Sequence, residues 1–229
     1  MKKIFLIALG ASLFMVPAQA QKQAGNEKNL EVHFAPLGGN PISIDGIRFR
    51  KFNAAGNAAW RVNLFIGMTN EEEITQQADN TQTPAIPELK KTTSGMTIGI
   101  NPGYEKHFAG NARLSPYWGA ELAFTMASSK EEDEQMDASN NNAVYTNTTE
   151  NKDGYTSFGL NLIAGCDFYF AQGIYMGAEL GFGFSTKTMA DIDYSTTMTG
   201  AQAIPSDKQG SSMQVGPNSV GQIRLGFLF

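Results

Sequence analysis

Charged side chains in this sequence recur inside otherwise apolar runs, on the positions that alternate with the apolar residues. Glu31 and His33 are two residues apart, as are Arg48 and Arg50. Arg61, Glu105, Glu121, Asp167, Glu179 and Arg224 occupy equivalent places in later runs. Together they are five acids, four arginines and one histidine. A charge withdrawn from water is costly unless it is paired. The near balance of signs therefore predicts an internal ion-pair network, with packing and register as its role. Interleaved glycines (Gly119, Gly165, Gly177, Gly181, Gly183) would leave volume for the long arginine and glutamate side chains.

Catalytic and cofactor chemistry find little support. The chain has no nucleophile elbow, Walker loop, H-E-x-x-H or C-x-x-C motif. Gly181-Phe182-Gly183-Phe184 reads as strand, whereas a phosphate cradle would need a following helix. One cysteine excludes a disulfide framework and a Cys-rich zinc site, and two histidines leave no His-dominated metal site. The acidic runs Glu71–Glu73 and Glu131–Glu134 lack the Asp-x-Asp spacing and glycine turn of a calcium loop. A net charge of -5 excludes a basic stripe for nucleic acid. No enzyme, no cofactor and no metal are expected. Cys166 alternates with the charged positions and reads as a small hydrophobe.

The elements that must position these charges are strands. Lys2 and Lys3, the apolar run from Ile4 to Val16 and Ala18-Gln19-Ala20 form a secretory signal pattern, with Gln21 as the expected mature N-terminus. The mature chain, 21–229, is expected to be one domain. Its periodicity is two. Trp60, Val62, Leu64, Ile66 and Met68 alternate with Arg61, Asn63, Phe65 and Gly67. Phe158 to Phe170 and Met176 to Phe184 behave alike, and a helix would mix the two sets around its circumference. The same test predicts eight strands near 29–35, 46–52, 59–68, 93–107, 116–126, 155–170, 174–185 and 219–229. Several are as long as the 9–11 residues a tilted membrane-spanning strand needs. Short links alternate with long polar stretches near 69–92, 127–154 and 186–218, the asymmetry of periplasmic turns and extracellular loops. An even strand number puts both chain ends on the short-turn side.

Alternation alone also suits a soluble barrel of lipocalin type with its faces exchanged. Aromatic placement favours the membrane. Trp60, Tyr104, Trp118, Phe168 and Phe170 share the apolar parity at the short-turn end of their strands, as an interfacial girdle requires. Ile223, Leu225, Phe227 and the terminal Phe229 alternate at the C-terminus. Here the sequence resembles the small outer-membrane β-barrel proteins of Gram-negative bacteria, in which a terminal aromatic with alternating apolar residues is the signal for the barrel-assembly machinery. The strand–turn–strand units around Gly46–Phe52 with Ala59–Val62, and Asn101–Glu105 with Leu114–Glu121, carry the same likeness. The resemblance implies an all-β fold, an eight-stranded antiparallel up-and-down transmembrane β-barrel in the outer membrane, surrounded by lipid and monomeric. Eight strands enclose an interior just wide enough for side chains to fill, so the lumen is expected to be plugged. A structural or surface-interaction role through the extracellular loops follows, with a narrow channel for small or hydrophobic solutes as the alternative. Some barrels of this size act on lipid A and need a histidine beside a serine or acid near the outer leaflet. His107 falls at the opposite end, and His33 reads as a satisfied interior histidine.

Overall fold

The computed structural model describes residues 22–34, 44–137, 140, 142–217 and 223–229. The expected signal segment, 1–20, lies outside them. The described elements are all strands: β1 (Lys28–Phe34), β2 (Ile44–Phe52), β3 (Ala58–Gln76), β4 (Leu89–His107), β5 (Leu114–Asp137), β6 (Ala143–Glu150), β7 (Tyr155–Ala171), β8 (Ile174–Met189), β9 (Asp193–Thr196), β10 (Ser211–Pro217) and β11 (Ile223–Leu228). Eight of them close a ring, each antiparallel to its neighbours, in the order β1, β2, β3, β4, β5, β7, β8, β11. The last strand returns to the first, from Asn29 opposite Leu228 to Phe34 opposite Ile223. Closure removes the sheet edges that could not be satisfied in hydrocarbon. The protein is thus an eight-stranded antiparallel β-barrel.

The faces settle which solvent the wall meets. Ile66, Met68 and Leu180 are 71%, 76% and 66% exposed on the outside. Arg50, Arg224, Glu31, Glu105 and Asp167 are 0% exposed inside. Polar interior and apolar exterior invert the pattern of a water-soluble barrel, so the lipocalin alternative falls.

The stretches expected to be long polar loops are in part strand, 127–154 most of all. β3 and β4 have 19 residues each and β5 has 24. At about 3.3 Å per residue these far exceed the 9–11 residues a membrane crossing takes. Within 127–154, β6 continues the line of β7 and pairs with β5 from Lys130–Glu150 to Asp137–Ala143. Within 186–218, β9 pairs with β6 and β10 with β8. The extensions escaped the periodicity test for a physical reason. Beyond the membrane both faces of a strand meet water, and the apolar half of the alternation is no longer required. The Val, Tyr and Thr residues of Ala143–Glu150 still favour strand.

Candidate functional site: a buried ion-pair network

Alternation aims Arg48 and Arg50 of β2, Arg61 of β3 and Arg224 of β11 at the barrel axis. Four carboxylates of β1, β4, β7 and β8 and one of β5 meet them. Arg50 is the centre. Its Nη2 lies 2.6 Å from Glu31 and 2.7 Å from Asp167, and its Nη1 lies 2.6 Å from Glu105. Arg61 contacts Glu105 at 3.2 Å, Glu121 at 2.9 Å and Glu179 at 2.7 Å. Arg224 bridges Glu31 at 3.0 Å and Asp167 at 3.1 Å. Arg48 bridges Glu31 at 3.4 Å and Glu179 at 3.1 Å. Every strand of the ring contributes at least one member, so the network ties the whole circumference together. The nine residues predicted as the lumen network are thus all brought into one cluster.

The space they occupy is left by glycine. A Cβ on Gly177 would stand 2.5 Å from Arg224 Nη2 and 2.6 Å from Asp167 Oδ1. One on Gly165 would stand 2.4 Å from the Tyr117 hydroxyl, and one on Gly119 3.0 Å from Glu105 Cβ. Gly226 makes room for the Tyr175 ring, with a Cβ there 2.1 Å from Cζ. Strand glycine that weakens a sheet by its missing side chain is here the condition for the packed interior.

Towards the short-turn end the network rests on aromatic residues. Tyr117, Tyr169, Tyr175 and Phe52 are 2% exposed or less. The Arg50 guanidinium lies 5.2 Å from the Tyr175 ring centre and 5.5 Å from that of Phe52, within cation–π range. Tyr175 donates its hydroxyl proton to Glu31 at 2.6 Å and accepts from Asn29 at 2.6 Å. Beneath this layer Gln23 donates to Ser115 at 2.7 Å and to the Gly56 carbonyl at 3.3 Å. The segment before β1 therefore lies across the short-turn mouth.

A match to a family model decides what the barrel is. A family model described as "Putative OmpA-OmpF-like porin family" matches residues 55–215, well over half of the 229-residue chain. The chain belongs to that family. It is an outer-membrane β-barrel protein of the bacterial envelope. No curated protein matches it. Among solved structures, the crystal structure of Acinetobacter baumannii CarO is similar with a TM-score of 0.36 and 10% identity, covering 90% of this chain and 98% of that one.

The remaining predicted residues fall as follows in this porin-family chain. Trp60, Tyr104 and Trp118 are 69%, 45% and 50% exposed on the outer face, and Trp60 and Tyr104 meet edge to face at 5.1 Å. Phe168 and Phe170 are half-buried. Leu225, Phe227 and Phe229 also face outward, with the two phenylalanine rings stacked at 6.4 Å, and Ile223 begins β11. Cys166 is half-buried. His33 is buried on the inner face as expected, but it is not satisfied: its Nε2 is 3.8 Å from Glu31 and has no hydrogen-bond partner among the described residues.

Several buried partners escaped the sequence reading. His107 sits at the short-turn end, as expected, but it is part of the packed interior: Nε2 is 3.0 Å from Glu105 and Nδ1 is 2.7 Å from Ser115. Asn63 bonds to Arg48 and, at 3.1 Å, to Glu121. The Tyr117 hydroxyl donates to Glu179. Their inward parity was available as a signal. Parity does not reveal which neutral polar residues will end beside a charge, because that depends on register across the ring.

Proposed function

We propose that this protein is a plugged outer-membrane barrel whose role is structural and surface-directed, carried out through the end that bears the strand extensions. In this reading residues 1–20 are a cleaved signal peptide, and 21–229 form one monomeric domain. The short turns and both chain ends face the periplasm, and the extensions face outward. The observation that carries the plug is the ion-pair network itself. Its nine members span all eight strands of the ring, and none has a side chain more than 14% exposed. A solute would have to part charge pairs at 2.6–3.4 Å in a poorly solvated interior.

The Ser115–His107–Glu105 chain has the residue types of a hydrolytic triad. Ser115 is fully buried and already accepts from Gln23, which supports a structural role and a non-enzymatic protein. The aromatic level of Trp60, Tyr104 and Trp118 supports an interfacial girdle. The terminal Leu225, Phe227 and Phe229 support recognition by the barrel-assembly machinery. Deletion of Phe229 should lower the amount of assembled, heat-modifiable barrel in the outer membrane, and undiminished assembly would count against that signal.

A narrow gated channel is the second reading. It is favoured by the small residues that face the lumen beyond the network, among them Gly67, Ala123, Thr125 and Ser157. Planar-bilayer recording of the refolded mature protein separates the two. The plugged reading expects no reproducible conductance from the native chain. Steady discrete openings would make the Arg61–Glu179 contact a gate.

A further inference from the structure

The outer wall carries a depression of about 530 Å³ at the upper edge of the apolar band. Its lower rim is Met68 and Met96, 76% and 39% exposed and opposite one another on β3 and β4. Its floor and upper rim are polar: Asn70, Ser94, Ser128, Lys130 and Glu150. The hollow exists because the short Ser94 and Ser128 lie between the long methionines and the long Lys130 and Glu150. Asn70 is ten residues beyond Trp60. At about 3.4 Å per residue and a tilt of about 40°, that is about 26 Å along the axis, the height of the apolar band of such barrels. The groove therefore sits where acyl chain gives way to headgroup.

We propose that this groove binds a glycolipid of the outer leaflet, its sugar headgroup against the hydroxyl and amide groups and its acyl chain over Met68 and Met96. The inference rests on the outward orientation of the strand extensions given above. Charge decides between a sugar and a phosphate. Lys130 is the cation of the groove, and it is held 2.7 Å from Glu132 and lies opposite Glu150 in the ladder. With two carboxylates beside one ammonium the site repels an anion. Uncharged hydroxyls suit it. Among the described residues the Asn70 amide and the Ser128 hydroxyl have no hydrogen-bond partner within the protein, so both are available to a sugar.

Native mass spectrometry of the folded, detergent-solubilised barrel tests this with two probes. One is lipid A stripped of both phosphates, which keeps the acylated disaccharide. The other is phosphatidic acid. Native protein should retain one copy of the dephosphorylated lipid A and hold phosphatidic acid about tenfold more weakly, the ratio that one lost hydrogen-bonding contact produces. Ser94→Phe fills the hollow and should reduce retention of the glycolipid about tenfold. Asn70→Leu, a milder change on an exposed site, should weaken it several-fold. Thr188→Phe, exposed on β8 and two strands from β5, should leave it unchanged. Equal retention by native protein and by both folded groove variants overturns the proposal. So does preference for phosphatidic acid, which would make the groove an anion site. Oriented labelling that places the extensions in the periplasm would instead defeat the topology on which it rests.

Discussion

The two halves of the barrel solve opposite problems with the same strands. Near the short turns the inward positions are large and charged or aromatic: Arg50, Arg61, Glu105, Tyr117, Tyr175. Farther up the same strands they are Gly67, Thr97, Gly99, Ala123, Thr125 and Ser157. The charges of the lower interior are shut off from solvent, and each lies against an opposite charge. The upper interior is lined mostly by small side chains, with the Phe65 ring laid over Gly99 and Lys187 over the Tyr155 ring. Still farther out the wall is polar on both faces, and its ion pairs are exposed ones such as Lys91 with Glu131 at 3.2 Å. The same pairing chemistry is thus structural below and nearly indifferent above, because desolvation makes a missing partner expensive only where water cannot replace it.

The largest expected effect breaks the lower half. Arg50→Ala leaves Glu31, Glu105 and Asp167 short of their central cation, and equilibrium unfolding in lipid vesicles should show a loss of about 3–5 kcal/mol. Arg61→Ala and Arg224→Ala should act in the same direction. Unchanged urea midpoints for all three would mean the charges are hydrated, and the contrast with the upper half would vanish. Next comes the glycine slot. Gly177→Val should cost about 1–3 kcal/mol by overpacking against Arg224 and Asp167. The same substitution at Gly67, where the nearest atom is the Thr97 Cβ at 3.9 Å, should cost less. Equal penalties would show that strand propensity, not space, governs both sites. The smallest effect belongs to the extensions. Lys91→Ala should change stability by about 0–1 kcal/mol and lose even that difference in high salt. A larger, salt-independent loss would mean the extensions are bound to the barrel more firmly than exposed pairing allows.

Much of this was legible in the residues. Period-two runs located all eight wall strands, and parity put every charged member of the network on one face. Glycine at 119, 165 and 177 announced the space the charges needed. The extensions beyond Met68 and Met126 were not legible, because a strand with water on both sides has no obligatory apolar face. His107 and Ser115 were not legible as network partners either. They are neutral or weakly charged residues near a turn, and their role comes from lying beside Glu105 and Gln23.

By itself the sequence determined the alternation, the approximate charge balance and the aromatic C-terminus. These are local properties, set by which residue follows which. Alternation alone could not say which face turns inward, since a soluble barrel alternates in the same way, and only the placement of the aromatic residues pointed to the membrane. The tertiary structure decided that, by closing β1 on β11 and placing Arg50 at the axis and Met68 outside. It also decided the pairing. Glu31 and Arg224 are 193 residues apart, and only the register of the closed ring brings them to 3.0 Å.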